Sequence, residues 1–384
     1  MHHALSEGPV KQAVKRKVRK VQRTLGQTLR LLRKPEVAVV CHDNPIAEAQ
    51  ADPIARSCER AIALVDGELS RRIFARVSVR NRLILLQSHW TAPPEECLRF
   101  IERLRNDRPD CRIAFLDWYA PVHIPHPEVL EAVDLYVKKQ ALSDRRRYVE
   151  GMYDTNLVEY EARWRERFRD TRFLRINAEQ LEQKLFVGWN FATDRRRIKQ
   201  LERKLYQNTD RPVDVHCRMC APEERSTWYT HMRGRAYDAV QALRASGRCE
   251  GRVLCENKVI GYDEYIGEIA RSKLCFSPFG YGEVCWRDFE AILAGALLIK
   301  PSMSHIVTHP NIYVPYETYV PVRWDFSDLE AQCMRYLDDE SERRRITANA
   351  VTVWRDFLSR GWPNLWREMA ARLSIEPPAT RALA

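Results

Sequence analysis

The sequence has no long apolar run. Among its 384 residues no stretch approaches the roughly 20 consecutive apolar residues that a membrane-spanning helix needs, and the first residues lack the apolar centre of a secretory signal. We therefore expect a chain that neither spans a membrane nor is exported. With 45% hydrophobic and 30% charged residues it can bury ordinary hydrophobic cores, which excludes a disordered or collagen-like chain, and its length suggests about two domains.

The sequence also lacks cysteines at the spacing of a zinc site or a disulfide framework. Its 11 cysteines are an odd number, are scattered through both halves, and in several cases lie in apolar runs. This pattern is typical of reduced thiols in a cytosolic protein. Cys217 and Cys220 form a CxxC pair with no second ligand pair nearby, so packing at a strand end is favoured over a metal or redox role.

Net positive charge is confined almost entirely to one short segment. The net charge is +11, but residues 11–34 hold ten basic residues and no acidic residue, so residues 35–384 carry only about +2. A nucleic-acid-binding protein needs its positive charge spread along a groove or a helix. The composition therefore argues against a nucleic-acid partner.

The basic segment has the apolar periodicity of an amphipathic helix. Its apolar residues recur every three or four positions and form one stripe, with lysines and arginines on the other face. The stripe consists of Val10, Val14, Val18, Val21, Leu25, Leu29 and Leu32. Such a helix can bind an anionic membrane surface through residues 10–34, where each basic residue adds on the order of 1 kcal/mol. Packing of the stripe on the domain behind it is the alternative.

From Pro35 onward, short apolar runs alternate with helical stretches. The first strands are predicted at Val37–Cys41, Arg82–Ser88, Arg112–Leu116 and Asp134–Lys138. A helix is predicted over Pro53–Leu69, with Asp52 and Gly67 as its caps. Residues 140–185 are highly charged and are interpreted as a helical connector, and a second alternation of strands and helices begins at Val213.

This alternation predicts an α/β protein with two Rossmann-like, doubly wound parallel-sheet domains that face a cleft. The predicted organisation is a basic amphipathic helix over residues 1–34, an N-terminal domain with its connector over 35–180, a second domain over 181–345, and C-terminal helices over 346–384 that pack back across the domains. In open α/β sheets, ligands bind at the carboxyl ends of the strands. We therefore expect the site in that cleft.

The most informative stretch is residues 272–301, where a buried strand is followed by a Pro/Gly turn, a loop and a helix. Gly280 and Gly282 allow the backbone to approach a ligand closely, and the helix points free N–H groups at the same place. Arg287 offers a forked donor for diphosphate oxygens, and Glu290, one turn onward, offers a carboxylate for ribose hydroxyls. The pattern predicts a nucleotide-diphosphate ligand, with a surface ion pair as the alternative.

This segment resembles the donor domain of exostosin-like glycosyltransferases. The matching residues are Ser272, Lys273, Pro278, Gly280, Gly282, Arg287, Glu290, Ala291 and Gly295. The resemblance is clear over residues 262–330 and faint over 185–260, and it implies a GT-B fold with an acceptor domain followed by a donor domain. The sequence departs from the family at two positions: Cys285 replaces a small hydroxyl residue, and Phe279 stands where arginine is common.

The resemblance implies transfer of a sugar from a nucleotide-diphosphate sugar, such as a UDP- or GDP-sugar, to a saccharide or lipid-linked saccharide, in cell-envelope polysaccharide synthesis. The donor site would comprise Arg218, Gly280, Tyr281, Gly282, Arg287, Glu290 and Lys300. Arg195–Arg197, near the domain junction, are a further diphosphate candidate, although a solvated role is favoured for them. The expected location is the cytoplasm, with a peripheral position on the inner membrane face.

Transferases of the GT-B type generally stabilise the leaving diphosphate with arginine, lysine and a helix N-terminus. Because the sequence also has no Asp-x-Asp segment, neither a metal nor another cofactor is expected. The alternative is a non-catalytic nucleotide-sugar-binding or scaffolding protein of the same fold, which the departures at Cys285 and Phe279 favour.

An inverting transfer also needs a base that deprotonates the acceptor hydroxyl. Strand ends of the first domain offer His42 with Asp43, His89, and Asp117. Among them Asp43 and His42 are preferred, followed by Asp117, and a capping or structural role stays open for each.

If the basic segment is a membrane anchor, deleting residues 1–34 releases the protein from vesicles that contain phosphatidylglycerol, because the remaining chain is almost neutral. Binding of nucleotide sugar stays intact. Vesicle co-sedimentation measures the first effect and calorimetry the second. Equal vesicle binding by the full chain and the truncated chain would refute the anchor.

Overall fold

The computed structural model describes residues 35–66, 69, 81–162, 172–203, 210–220, 225 and 227–383. The predicted basic helix over residues 10–34 lies outside these ranges. None of the helices in the described ranges is both long enough and apolar enough to cross a membrane.

The described residues form 15 strands, numbered in chain order. These are β1 Val37–His42, β2 Ala61–Asp66, β3 Leu83–Leu86, β4 Arg112–Asp117, β5 Leu135–Lys138, β6 Gln140–Leu142, β7 Met152–Tyr153, β8 Phe173–Leu174, β9 Leu185–Val187, β10 Val213–His216, β11 Arg252–Leu254, β12 Ser272–Phe276, β13 Leu297–Pro301, β14 Ile306–Thr308 and β15 Val320–Val322.

The α-helices are numbered in the same way. They are α1 Pro45–Ser57, α2 Pro94–Asp107, α3 Pro127–Ala132, α4 Arg146–Glu150, α5 Val158–Ala162, α6 Ala178–Lys184, α7 Arg195–Arg203, α8 Trp228–Ala245, α9 Tyr262–Ala270, α10 Trp286–Ala294, α11 Leu329–Asp338, α12 Glu340–Asp356 and α13 Trp362–Arg372. A 3₁₀ turn at Phe191–Thr193 precedes α7, and a π-helical turn at Phe357–Gly361 joins α12 to α13.

The first sheet has six parallel strands in the order β2-β1-β3-β4-β5-β9. Its inner strands are mostly apolar, because helices cover both faces of such a sheet. From β1 the chain moves outward to β2, then returns past β1 to β3 and continues in the other direction. This reversal leaves a crevice at the carboxyl ends of β1 and β3.

The second sheet repeats this plan with five parallel strands, in the order β11-β10-β12-β13-β15. Its reversal lies between β10 and β12, so the loops after His216 and Phe276 border the second crevice. The predicted fold class, two doubly wound parallel sheets, is confirmed. We call residues 35–187 the first half and residues 213–338 the second half.

Several contacts join the two halves. Strand β14 of the second half pairs antiparallel with β6 of the first, and Thr308 Oγ1 donates to the Lys139 carbonyl at 2.6 Å. Beyond α12, the chain returns to the first half, where Trp362 Nε1 donates to Ser57 Oγ at 2.8 Å. The cleft is therefore bounded by two halves that are in direct contact.

A buried ion pair supports the carboxyl end of the first sheet. Lys138 and Asp117 are 1% and 0% exposed, and the Lys138 ammonium donates to Asp117 Oδ2. The same carboxylate accepts hydrogen bonds from Tyr136 Oη at 3.0 Å and from the Tyr119 backbone N–H at 2.9 Å. Asp117 therefore ties together the ends of β4 and β5.

Two expectations from the sequence are wrong in detail. The helix predicted over Pro53–Leu69 is replaced by α1, which begins at Pro45 after the Asn44 N-cap, and by β2 at Ala61–Asp66. Apolar runs as short as Ile62–Val65 fit either structure, and pairing with β1 decides between them. The first sheet also takes its sixth strand from Leu185–Val187, beyond the domain boundary predicted at residue 180.

Substituting Lys138→Met leaves the Asp117 carboxylate buried and uncompensated, so we expect a loss of about 3–5 kcal/mol in the free energy of unfolding. Asp117→Leu combined with Lys138→Met restores most of that loss, since no unpaired charge remains. Urea unfolding followed by circular dichroism measures both. The control Arg248→Ala removes an exposed ion pair with Glu330 and leaves the stability nearly unchanged; a similarly small effect of Lys138→Met would contradict the assignment.

Candidate functional site

The loop Phe279–Cys285 and the start of α10 form the centre of the second crevice. Strand β12 ends at Phe276, the loop crosses the cleft, and α10 begins at Trp286 with Cys285 as its N-cap. The helix ends at Ala294, and its C-cap is Gly295, whose φ of +70° favours glycine at this position. The N-terminus of α10 therefore points its free N–H groups at the loop, as the sequence predicts.

Asp288, in the first turn of α10, is completely buried and binds four groups. Its Oδ1 accepts from Ser277 Oγ at 2.6 Å and Lys300 Nζ at 3.2 Å, and its Oδ2 accepts from the Cys285 backbone N–H at 3.0 Å and Tyr313 Oη at 2.7 Å. These bonds fix the loop to the ends of β12 and β13.

Lys300 therefore does not have the diphosphate-binding position predicted for it. Its side chain is 0% exposed, its ammonium also donates to the Ser277 carbonyl at 3.3 Å, and it lies 5.2 Å from the centre of the Phe279 ring. Asp288 neutralises the charge of Lys300 beneath the loop. Lys300 therefore supports the loop and does not face the cleft.

Two guanidinium groups approach the loop from different helices. Arg233 of α8 lies beside Gly280, where a Cβ would come within 3.9 Å of Arg233 Nη2. Arg287 of α10 donates to Tyr265 Oη at 3.2 Å and to the Arg218 carbonyl. Arg233 Nε and Arg287 Nη1 are both buried and, among the described residues, neither has a hydrogen-bond partner. Unsatisfied cationic donors beside a helix N-terminus form an anion site.

Lys139, at the end of β5 in the first half, adds a third cation that the sequence analysis did not single out. It is 6% exposed, its Nζ donates to the Trp118 carbonyl at 3.3 Å, and it lies 4.9 Å from the Phe191 ring. Burial lowers the pKa of Lys139 to about 8, with Cys285 and Glu283 of the loop among the groups that act on it. The only sequence signal is a pair of lysines directly after an apolar strand.

The two glycines of the loop, Gly280 and Gly282, have different structural roles. A Cβ on Gly282 would lie 2.3 Å from the carbonyl oxygen of Ala120, so this glycine permits direct contact between the loop and the backbone of the first half. Gly280 leaves room beside Arg233. Tyr281 is 64% exposed, and its ring stacks parallel on Tyr229 of α8 at 4.5 Å.

Arg218 follows β10 at the crevice but is paired with a carboxylate. Its Nε and Nη2 donate to the two oxygens of Glu268 at 2.8 and 2.7 Å. Although burial opposes the shift, these bonds and one from His216 lower the pKa of Glu268 to about 2. Arg218 thus reaches the site mainly through its backbone carbonyl, which accepts from Arg287.

Glu290 lies on the buried side of α10, 5% exposed, and its Oε1 accepts from Arg197 Nη2 at 2.6 Å. The Arg197 guanidinium also lies 4.1 Å from the centre of the Trp286 ring. The favoured solvated role is therefore wrong for Arg197. Arg195 and Arg196, in the same turn, are exposed.

The candidate bases in the first half have unequal surroundings. Asp43 is exposed just after β1, and the His42 and His89 rings lie 4.9 Å apart at the ends of β1 and β3. Asp117 is buried and engaged by Lys138, so it has no access to a substrate hydroxyl. Of the predicted bases, only His42, Asp43 and His89 lie where a ligand can reach them.

The two residues that differ from the exostosin-like pattern, Phe279 and Cys285, have structural roles. Phe279 is 1% exposed and packs against the His305 and Trp324 rings, with centroid distances of 6.3 and 6.0 Å. Cys285 caps α10, and burial raises the pKa of its thiol, which keeps it neutral at physiological pH.

The CxxC pair shows no sign of a metal site. Cys217 is buried and Cys220 exposed, and the described part of the chain contains no group of three or more His, Cys, Asp or Glu side chains that could hold a metal ion.

No protein-family model matches this chain, and neither does any curated protein sequence. Solved structures with a similar chain course include an α-glucosyltransferase in complex with UDP-glucose and DNA containing an abasic site, at 8% identity over 88% of this chain and 99% of the other, with a TM-score of 0.49. A UDP-forming α,α-trehalose-phosphate synthase from Burkholderia xenovorans has 12% identity over 79% and 76%, with a TM-score of 0.45. A glycosyltransferase from Rickettsia africae ESF-5 has 8% identity over 88% and 97%, also at 0.45. Because these identities and TM-scores are low, the functional inference rests on the side chains of the cleft and not on the similar structures.

If Lys139 contributes to the anion site, affinity for inorganic pyrophosphate falls as the pH rises above about 8, because its ammonium loses a proton there. The neighbouring charged groups are Asp117, Lys138 and Glu283, and the Cys285 thiol stays neutral in this range. Calorimetry between pH 7 and 9 measures the effect. Lys139→Met abolishes the pH dependence, the exposed-lysine control Lys199→Met retains it, and an unchanged profile in Lys139→Met would exclude Lys139 from the site.

Proposed function

We propose that this protein is a glycosyltransferase that moves a sugar from a nucleotide-diphosphate sugar to a saccharide or lipid-linked saccharide without a metal ion. The observation that carries the proposal is that two buried guanidinium donors near the N-terminus of α10, Arg233 Nε and Arg287 Nη1, have no hydrogen-bond partner among the described residues. A diphosphate supplies the oxygens that both donors lack.

The chemistry follows from the charges around the loop. When the bond between the anomeric carbon and the phosphate oxygen breaks, negative charge develops on the leaving nucleoside diphosphate. Arg233, Arg287, Lys139 and the free N–H groups of α10 lie around the place where that charge forms. Lys300 acts indirectly, since with Asp288 it holds the loop in position.

Glu290 is the proposed partner of the ribose hydroxyls. Arg197 already binds one of its oxygens, which fixes the direction of the carboxylate. A carboxylate held in this way accepts hydrogen bonds from a diol without changing its rotamer. We therefore assign Arg197 to positioning Glu290, and not to contact with the diphosphate.

The remaining parts of the proposal come from the sequence. The exostosin-like resemblance over residues 262–330 supports the sugar-nucleotide class of donor and a role in cell-envelope polysaccharide synthesis. The basic segment at residues 10–34 supports a peripheral position on the inner face of the membrane, in the cytoplasm. A scaffolding protein of the same fold would bind the donor through the same groups but would not turn it over.

A thermal-shift screen with UDP-glucose, GDP-mannose and ADP-glucose identifies the donor, because a bound donor stabilises the folded protein. Arg233→Ala and Arg287→Ala weaken its binding roughly 10- to 100-fold, as expected for the loss of one charge-assisted hydrogen bond. Arg248→Ala, an exposed arginine on the same half, is the matched control.

Turnover separates the two functional classes. If the protein is a transferase, we expect the wild-type chain to hydrolyse the bound donor slowly and the Glu290→Ala variant to have lost this reaction. Donor binding without release of nucleoside diphosphate, with or without saccharide acceptors, would favour the scaffold. Unchanged donor affinity in both arginine variants would refute the site.

A further inference from the structure

A second recess lies beside the loop, at the carboxyl ends of β13 and β15. It has a volume of about 520 Å³ and reaches across the cleft to α5 of the first half. Its walls carry two hydroxyls, two carboxylates, a guanidinium, an imidazole and an indole, from Ser302, Ser304, Asp325, Glu159, Arg323, His305 and Trp324. None of these residues takes part in the donor site described above.

His305 is the unusual group in this pocket. Both its ring nitrogens are buried, and within the described ranges neither has a hydrogen-bond partner. A buried polar atom left without a partner costs about 1–3 kcal/mol, so a structural histidine would be expected to satisfy at least one of them. The two ring nitrogens can therefore form hydrogen bonds to a ligand.

A buried carboxylate lies behind the ring. His305 Nε2 is 3.8 Å from Oε1 of Glu283, which is 1% exposed. Gln140 Nε2 of the first half holds the other oxygen of Glu283 at 3.0 Å. A carboxylate on one side of an imidazole favours the tautomer with its proton on that side. Nδ1 is then left as the proton acceptor.

The pocket shares an aromatic wall with the donor loop. The Trp324 indole is fixed by a hydrogen bond from its Nε1 to the Ser302 carbonyl at 2.9 Å, and its ring lies 4.9 Å from the His305 ring. Phe279 contacts both rings and directly precedes Gly280. A ligand in the pocket therefore lies beside the loop that borders the proposed donor site.

We propose that this pocket binds the acceptor saccharide and that His305 is the base of the transfer, an inference that rests on the proposed function. Saccharides are recognised by an aromatic face together with several hydroxyl, carboxylate and guanidinium groups, which is the composition of this pocket. Among the candidate bases of the first half, Asp117 is paired with Lys138. His42, Asp43 and His89 lie at the ends of β1 and β3, and none of them lines this pocket.

The proposed step conserves every atom. The acceptor hydroxyl oxygen forms a bond to the anomeric carbon, while the bond from that carbon to the phosphate oxygen breaks and its electron pair leaves with the nucleoside diphosphate. The hydroxyl proton passes to His305 Nδ1, and Glu283 stabilises the resulting imidazolium. His305 is thus a catalytic residue and Glu283 a positioning residue.

Saccharide binding tests the pocket independently of the donor. Saturation-transfer NMR with methyl glycosides of glucose, galactose, mannose and N-acetylglucosamine identifies the probes that bind the full chain. Trp324→Ala abolishes their signals and Trp324→Phe retains them, which separates lost contact from misfolding. Trp90→Ala is the control, an exposed tryptophan at the end of β3 in the first half. Signals lost in Trp90→Ala but kept in Trp324→Ala, or no signals with the wild-type chain, would overturn the assignment.

Transfer to the bound methyl glycoside tests the base. His305→Asn lowers kcat about 100- to 10,000-fold, the usual contribution of a general base, and removes the acidic limb of the pH–rate profile. Donor affinity stays within twofold. Glu283→Gln displaces that limb while retaining part of the rate. Transfer by His305→Asn within threefold of wild type would overturn the role of His305.

The two proposals fail separately. A protein that binds methyl glycosides but no nucleotide sugar would overturn the proposed function and the His305 step, yet support a saccharide pocket. Donor binding that depends on Arg233 and Arg287, with saccharide binding unaffected by Trp324→Ala, would support the function and overturn this inference.

Discussion

The geometry of the proposed donor site depends on the hydrogen bonds of one buried carboxylate, that of Asp288. It joins the end of β12 through Ser277, the end of β13 through Lys300, the start of α10 through Cys285, and the segment after β14 through Tyr313. A loop rich in glycine has little to hold its shape by itself. Here four hydrogen bonds to one side chain fix it, so the neighbouring backbone N–H groups and guanidinium groups keep a constant geometry. The first sheet uses the same device, with Asp117 and Lys138.

Charge pairing divides the cations of the cleft into two classes. Lys300, Lys138 and Arg218 face carboxylates that satisfy them, and their contribution is to hold backbone segments in place. Among the residues that the structure describes, Arg197 also has a buried donor atom without a partner, but two carboxylates neutralise its charge. Arg233 and Arg287 each retain such an atom and, among the described residues, pair with no carboxylate. A cation is available to a ligand only when the fold has not already neutralised it, and this criterion separates residues of identical type.

The sequence predicts features that depend on neighbouring residues, but it does not show which charged residues the fold has paired. Strands that are buried on both faces of a parallel sheet are mostly apolar, so β1, β3, β4 and β5 are evident as short apolar runs. The Gly280 loop and Arg287 are evident because turn, loop and helix start are consecutive in the chain. Lys300 is misassigned because its burial beneath the loop, between Asp288 and the Phe279 ring, is not apparent from its place at a strand end. Arg197 is misassigned because its partner Glu290 lies 93 positions away. Lys139 is missed because it interacts electrostatically with the loop residues Glu283 and Cys285 from the opposite half.

The contact between Gly282 and the Ala120 carbonyl has a consequence for how the cleft moves. At this point the backbones of the two halves already touch, without any side chain between them. A side chain at this position would force the two backbones apart. We therefore expect any movement of one half against the other to be smallest here, close to the point where β6 and β14 also join the halves.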